Sequence, residues 1–197
     1  GLATHALVDN CWTIPVMASG AIVISLGDIL PLEQRTESTP WSKSRVVLAT
    51  IGLAALYVHS TLIPAIGLNY NERGHQAYNR SDYDNAEKYH LAAIRMVPDH
   101  PLFLDNLGMV YLQKFDDTRN PELLEPARIY FAKAIVAAPH SLDPYIHMET
   151  TLLRSLTGSP DKDRKTLELS IDNSIALLSV DPYIPFARKN LADAYYQ

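Results

Sequence analysis

Groups able to titrate, ligate or attack are few in this chain, and their spacing is mostly uninformative. Seven histidines (His5, His59, His75, His90, His100, His140 and His147) include no pair at a helical i, i+4 spacing, which argues against a zinc site. The single Cys11 can form neither an internal disulfide nor a cysteine-rich metal site. No His-Glu-x-x-His, Gly-x-Ser-x-Gly or phosphate-binding glycine loop is present. One ionisable pair stands out: His5 and Asp9 fall at i and i+4, on one face of a helix that starts near Leu2. At that depth such groups face a bundle interior or an aqueous cavity, or else mark the helix end at headgroup level. Asp82, Asp84, Asp161 and Asp163 flank expected turns, where caps and solvation account for them. Asn79-Arg80-Ser81 forms a glycosylation sequon in one such turn. No cofactor and no metal is expected.

The elements that would carry these residues divide the chain unevenly. Of its 197 residues, 17 are Lys or Arg and 22 are Asp or Glu, for a net charge of −5. Only seven of those charges lie in residues 1–70. Mild acidity argues against nucleic acid as a partner, since phosphate binding needs a basic surface. Residues 46–71, VVLATIGLAALYVHSTLIPAIGLNYN, carry no formal charge. As a helix rising about 1.5 Å per residue they would cross a ~30 Å hydrocarbon core. Residues 10–27 form a second uncharged stretch, at the lower limit for a span. Between them residues 28–45, with Pro31 and Pro40, read as a short polar, non-helical connector. Arg35, Lys43 and Arg45 place that connector in the cytoplasm by the positive-inside rule, so everything after about Leu68 lies on the outer side.

Beyond Tyr70 the sequence repeats itself. Tyr83, Ala86, Ala93 and Pro98 recur in kind as Ala127, Phe131, Ala134 and Pro139, and Ala93 to Ala134 and Pro98 to Pro139 both span 41 residues. Asn106-Leu107-Gly108 followed by Tyr111 reappears as Asn190-Leu191-Ala192 followed by Tyr195. These residues resemble the tetratricopeptide (TPR) repeat, in which small residues let paired helices approach and prolines close the second helix. The array is read over 69–197, about three and a half repeats, with seven extra residues around DDTRNPELL in the second. The third is degenerate, because Glu149 stands where a small residue is expected and SLTGSPDKDR lengthens the turn. The predicted organisation is therefore all-α: a transmembrane helix over 1–30, a cytoplasmic linker over 31–45, a transmembrane helix over 46–68, then a TPR-type α-solenoid.

The TPR resemblance implies a protein or peptide partner on a concave face, with Asn71, His75, Tyr78, Asp105, Met109 and Leu112 as candidate contacts. Clamp-type members hold a terminal carboxylate with Lys, Asn and Arg at fixed first-helix positions. Here those positions hold Asn71, His75, Asp105, Met109, Ile146 and Thr150, which argues against such a clamp.

The segment Gly1-Leu2-Ala3-Thr4-His5-Ala6-Leu7-Val8-Asp9, with Ile14-Pro15 and an apolar run to Gly27, resembles a late membrane segment of the O-antigen ligase and polymerase family. Many bacterial members follow it with one more span and a TPR array. The resemblance implies the C-terminal part of an inner-membrane glycosyltransferase that moves a polyprenyl-diphosphate-linked glycan to an acceptor. It implies no metal, and an array on the periplasmic or extracellular side. The family's Arg and His residues would precede Gly1, so only His5 and Asp9 map, near the active-site face; the chain is expected to be a fragment. Asn10-Cys11-Trp12 departs from the family's aromatic after Asp. The competing expectation is a non-catalytic, membrane-anchored TPR scaffold in envelope or polysaccharide-secretion assembly.

Overall fold

The computed structural model describes residues 40–196, and the side chains of all of these except 40–46, 160–162 and 194–196. The first expected span, with His5 and Asp9, and residues 31–39 of the expected connector lie outside the described residues.

The chain divides into two compact units, Gly1–Leu62 and Ile63–Gln197. In the first, helix α1 runs Pro40–Tyr57 and passes into a π-helical turn, Val58–Leu62. The helix therefore starts inside the segment expected to be a non-helical connector. Proline is well tolerated at a first helical position, where its missing N–H has no intrahelical duty. The π turn has a local cause. Pro64 offers no N–H to the carbonyl four residues earlier and its ring crowds that carbonyl, so the backbone widens ahead of it. The Ser60 hydroxyl folds back to donate to Leu56 O at 2.7 Å. The helical run Val47–Asn79 is long and apolar enough to cross a membrane, with a mean hydropathy of 1.7 over its best stretch.

The second unit is all helix: α2 Ile63–Asn79, α3 Tyr83–Met96, α4 Pro101–Thr118, α5 Leu124–Ala137, α6 Leu142–Arg154, α7 Pro160–Val180 and α8 Pro185–Tyr196. Each packs on its neighbour in sequence, as short connections dictate. The pairs α2–α3, α4–α5 and α6–α7 form three helical hairpins, and α8 covers α7. Helix α2 runs unbroken through residue 68, the expected boundary between span and array.

The core threads the hairpins through small and aromatic residues. Ala86, Ala93, Phe103, Leu107, Val110, Ala127, Phe131, Ala134, Leu177 and Ala187 are all fully buried. Two glycines set the helix spacing. A Cβ on Gly74 would lie 2.6 Å from the His90 ring, and one on Gly108 would lie 2.5 Å from the Phe131 ring. In both hairpins a large ring on the second helix thus seats against bare backbone on the first. The third hairpin inverts this. Its first helix carries Glu149, 1 % exposed, and the facing second helix carries Ser170 and Ser174, 2 % and 0 % exposed. The bulk has moved from one helix to the other, and the hairpin closes without a glycine.

Both insertions become ordered structure. The one in the second hairpin extends α4 to Thr118, where Arg119 takes a left-handed conformation (φ 58°) and stops the helix. Asn120 then accepts from the Glu122 N–H and starts a 3-10 turn, Pro121–Leu123. In the third, Asp163 on the first turn of α7 reaches back and accepts from Thr157 N, Thr157 Oγ1 and Gly158 N at 2.7–3.0 Å. Those backbone hydrogen bonds, that of Thr157 foremost, hold its carboxyl below the usual carboxylate range.

Candidate peptide-binding face

The candidate face belongs to the first helices, α2, α4 and α6, and the structure shows how its residues are already engaged. Asn71 is 8 % exposed. Its Oδ1 accepts from His90 Nδ1 and from Asn106 Nδ2, both at 3.0 Å, linking α2 to α3 and to α4. Because that oxygen accepts, Nδ1 carries the His90 proton. Burial, reinforced by nearby His75, pushes the His90 pKa down to about 4, so the ring is neutral in the folded chain. Asp105 is equally buried. Its Oδ1 lies 2.9 Å from His147 Nδ1, a link from α4 to α6, and the His147 ring leans on Phe131. Leu112 belongs to the core cluster of Phe115, Leu124, Ala127 and Phe131.

Three of the six candidate contacts, Asn71, Asp105 and Leu112, are thus buried and engaged within the fold. His75 is exposed, and Tyr78 and Met109 are half-buried. Tyr78 meets Tyr83 edge-on at 5.5 Å, and burial raises its phenol pKa. Ile146 and Thr150 are half-buried too, and the Thr150 hydroxyl donates to Ile146 O.

Two cations elsewhere in the unit, Lys114 and Arg154, join helices. Lys114 Nζ lies 2.6 Å from both Asp84 Oδ1 and Glu87 Oε2, and Tyr111 OH donates to Glu87 Oε1 at 2.7 Å. Burial pulls the Lys114 ammonium down, but the two carboxylates outweigh it and the net shift is upward. Burial and the Glu87 hydrogen bond push the Tyr111 phenol up. Arg154 Nε donates to Asp116 Oδ1 at 2.6 Å, tying α6 to α4. Among the described residues no group of three or more His, Cys, Asp or Glu is placed to hold a metal ion.

Sequence reasoning missed two concavities. An apolar pocket of about 310 Å³ lies among α5, α6 and α7, lined by Ile129, Ala132, Met148, Leu152 and Leu169, with the Asn173 amide at its wall. A polar one of about 280 Å³ lies between α2 and α3, with Arg73, Gln76 and Arg80 facing Asp82, Asn85 and Tyr89. The spacing of those residues along each helix could have signalled the second. Nothing short of the packed hairpins signals the first.

No protein-family model and no curated protein matches the chain. Solved structures do. The first TPR of Spaghetti (RPAP3) bound to an HSP90 peptide, SRMEEVD, is 14 % identical with a TM-score of 0.53, over 67 % of this chain and 94 % of that one. The Arabidopsis OM64 TPR domain is 12 % identical with the same TM-score, covering 68 % and 98 %. A thermophilic TPR protein of Thermus thermophilus is 18 % identical with a TM-score of 0.52, covering 66 % and 64 %. The described residues thus form an all-α, TPR-like helical repeat fold.

Proposed function

We propose that the chain is a membrane-anchored TPR array that binds a protein or peptide segment along its first-helix face. The supporting observation is the state of that face. The TPR neighbour in the HSP90-peptide complex binds a segment ending in two glutamates, a valine and an aspartate. Such an acidic tail needs free cations. At the corresponding positions this chain has Asn71, held by His90 and Asn106, and Asp105, held by His147. What remains for a partner is His75, Tyr78, Met109, Ile146 and Thr150, which suits an uncharged, partly apolar segment. The anchor is the helix around Val47–Leu62, whose large apolar side chains stand exposed. The array is assigned to the outer face of a bacterial cytoplasmic membrane by the positive-inside reading of the connector.

Photo-crosslinking tests this reading directly. Benzoylphenylalanine at His75 or Met109 of the membrane-embedded chain should capture a partner, and the same probe at Lys88 on α3 should not. Peptide SRMEEVD should bind no tighter than about 1 mM. Tight binding of that peptide, or capture only from Lys88, overturns the proposal.

A second reading rests on one segment, His5 to Pro15. It makes the chain the C-terminal part of an O-antigen ligase-like glycosyltransferase, with a lipid-linked glycan as donor substrate and the array as its docking module. Sequencing the gene upstream of Gly1 decides between the two. About ten further apolar spans and a large external loop with Arg and His favour the ligase, and a nearby start codon favours the scaffold.

A further inference from the structure

A second group of polar side chains gathers on the side of α2 away from the candidate peptide face. Arg73, Gln76 and Arg80 stand at i, i+3 and i+7 and share one face of the helix. At about 100° per residue, that face lies roughly opposite the one of Asn71, His75 and Tyr78. The three residues line the polar pocket of about 280 Å³, and Asp82, Asn85 and Tyr89 form its wall on the α3 side. All six belong to the second unit.

The charges of this pocket are not matched to one another. Asp82 caps α3: its Oδ1 accepts from Asn85 N at 3.3 Å and its Oδ2 from Asn85 Nδ2 at 2.7 Å. Those hydrogen bonds, the side-chain one foremost, hold its carboxyl below the usual carboxylate range. Glu72, the nearest carboxylate along α2, accepts from Gln76 Nε2 at 3.0 Å. The side chains of Arg73 and Arg80 form no ion pair or hydrogen bond among the described residues. Lys114 and Arg154, by contrast, are each closed by carboxylates.

We propose that this pocket binds a phosphate ester between the guanidinium groups of Arg73 and Arg80. The two arginines exceed Asp82 by one positive charge, so an anion is what neutralises the pocket. Their backbones stand about 10.5 Å apart along the helix, and their long side chains reach an anion over Gln76 from opposite ends. A planar carboxylate is saturated by one guanidinium fork, whereas a tetrahedral phosphate presents oxygens in several directions and takes both. The Tyr89 hydroxyl, without a hydrogen bond among the described residues, supplies one more donor. The volume lies at the small end for a ligand site, which suits a phosphoryl group and its ester carbons. Such an ester comes from a lipid headgroup or from a soluble compound, and the phosphate chemistry is common to both. The proposal stands independently of the peptide-binding reading, because the two faces share no residue.

The full chain, purified in an uncharged detergent, is titrated by calorimetry at low salt with glycerol 3-phosphate, glycerophosphoglycerol and succinate. At least one ester should bind at one per chain with a Kd below about 1 mM. Arg73→Gln and Arg80→Gln should each weaken it by about tenfold or more, and Arg95→Gln, in the last turn of α3, should leave it unchanged. Asp82→Asn keeps a capping side chain but removes the facing negative charge, so it should tighten binding by about threefold. All four positions are exposed, so the melting temperature should hold while affinity changes. Tighter binding of the diester assigns the site to a lipid headgroup, and tighter binding of the monoester assigns it to a soluble phosphate. Three results overturn the proposal: neither ester binding at about 10 mM, succinate binding as tightly as the better ester, or Arg95→Gln costing as much affinity as Arg73→Gln.

Discussion

Burial of His90 against Gly74 couples one imidazole to the stability of the first hairpin. Its pKa falls from 6.5 in the unfolded chain to about 4 in the folded one. Between those values the unfolded chain binds a proton that the folded chain does not, so this group's contribution to stability is complete above pH 6.5 and declines as pH falls toward 4. The shift corresponds to a loss on the order of 3 kcal/mol across that window. His90→Phe should shrink the slope, leaving the share of His100, whose pKa burial also lowers, while keeping the fold, since Phe131 already occupies the equivalent seat against Gly108. It should cost about 1 kcal/mol for the hydrogen bond lost at Asn71. Chemical denaturation at pH 4.5 and 7 measures both effects, and an unchanged slope in the variant would place the proton elsewhere.

Glu149 makes the complementary case at the residue scale. Its carboxylate accepts from the Ser170 hydroxyl and from Asn173 Nδ2, the latter at 2.9 Å, while the buried Ser174 Oγ has no partner among the described residues. Glu149→Ala strands two donors and opens a void, and should destabilise by about 3 kcal/mol. Glu149→Gln keeps an acceptor and should cost about half as much. Ser174→Ala removes a buried hydroxyl that bonds to nothing and should be neutral or stabilising by up to about 1 kcal/mol. Denaturant midpoints of the three variants rank them; a Ser174→Ala variant weaker than Glu149→Gln would show that the hydroxyl is satisfied after all.

At the scale of elements, the hairpins show what a repeat pattern can and cannot carry. Tyr83, Ala86, Ala93 and Pro98 mark the ends and the packed face of α3, and their 41-residue echo marks α5, so helix order and pairing were legible in sequence. The third hairpin read as degenerate because the pattern is written one helix at a time. Glu149 breaks the small-residue rule on α6, but Ser170 and Ser174 restore the volume on α7, and that compensation exists only once the two helices face each other. The engagement of the candidate face was hidden for the same reason. Asn71 and Asp105 sit at first-helix positions, but their partners His90 and His147 lie 19 and 42 residues further on. Single positions gave no hint that both side chains were already occupied. Close approach is the testable part. Gly108→Ala drives a Cβ into the Phe131 ring and should cost about 1–3 kcal/mol. Phe131→Leu shortens the opposing side chain, so the double variant should recover part of that loss. A double-mutant cycle with no coupling would mean that the hairpin relieves the contact by shifting backbone instead.

For the whole molecule, the membrane-anchor proposal has the two units facing different solvents, so they should fail in different ways. The second unit buries His90, Phe103 and Phe131 and joins helices through the ion pairs of Lys114 and Arg154. The first presents Leu48, Ile51, Leu53 and Leu56 at 59–67 % exposure. A core helix would have these covered, and a helix in water would aggregate through them. Charge placed there discriminates the two environments without touching any packed contact of the array. Each acidic residue near the centre of a span opposes insertion by about 3 kcal/mol. Ile51→Asp together with Leu56→Asp should therefore release much of the chain from the membrane into the carbonate-soluble fraction. The array's own melting temperature should stay unchanged, because neither residue lies in Ile63–Gln197. Fractionation and thermal melting of the same preparation read both quantities. A chain that stays membrane-integral with both aspartates in place would locate its anchor in residues 1–39 alone. A fall in the melting temperature would show that the apolar helix supports the array as well as tethering it.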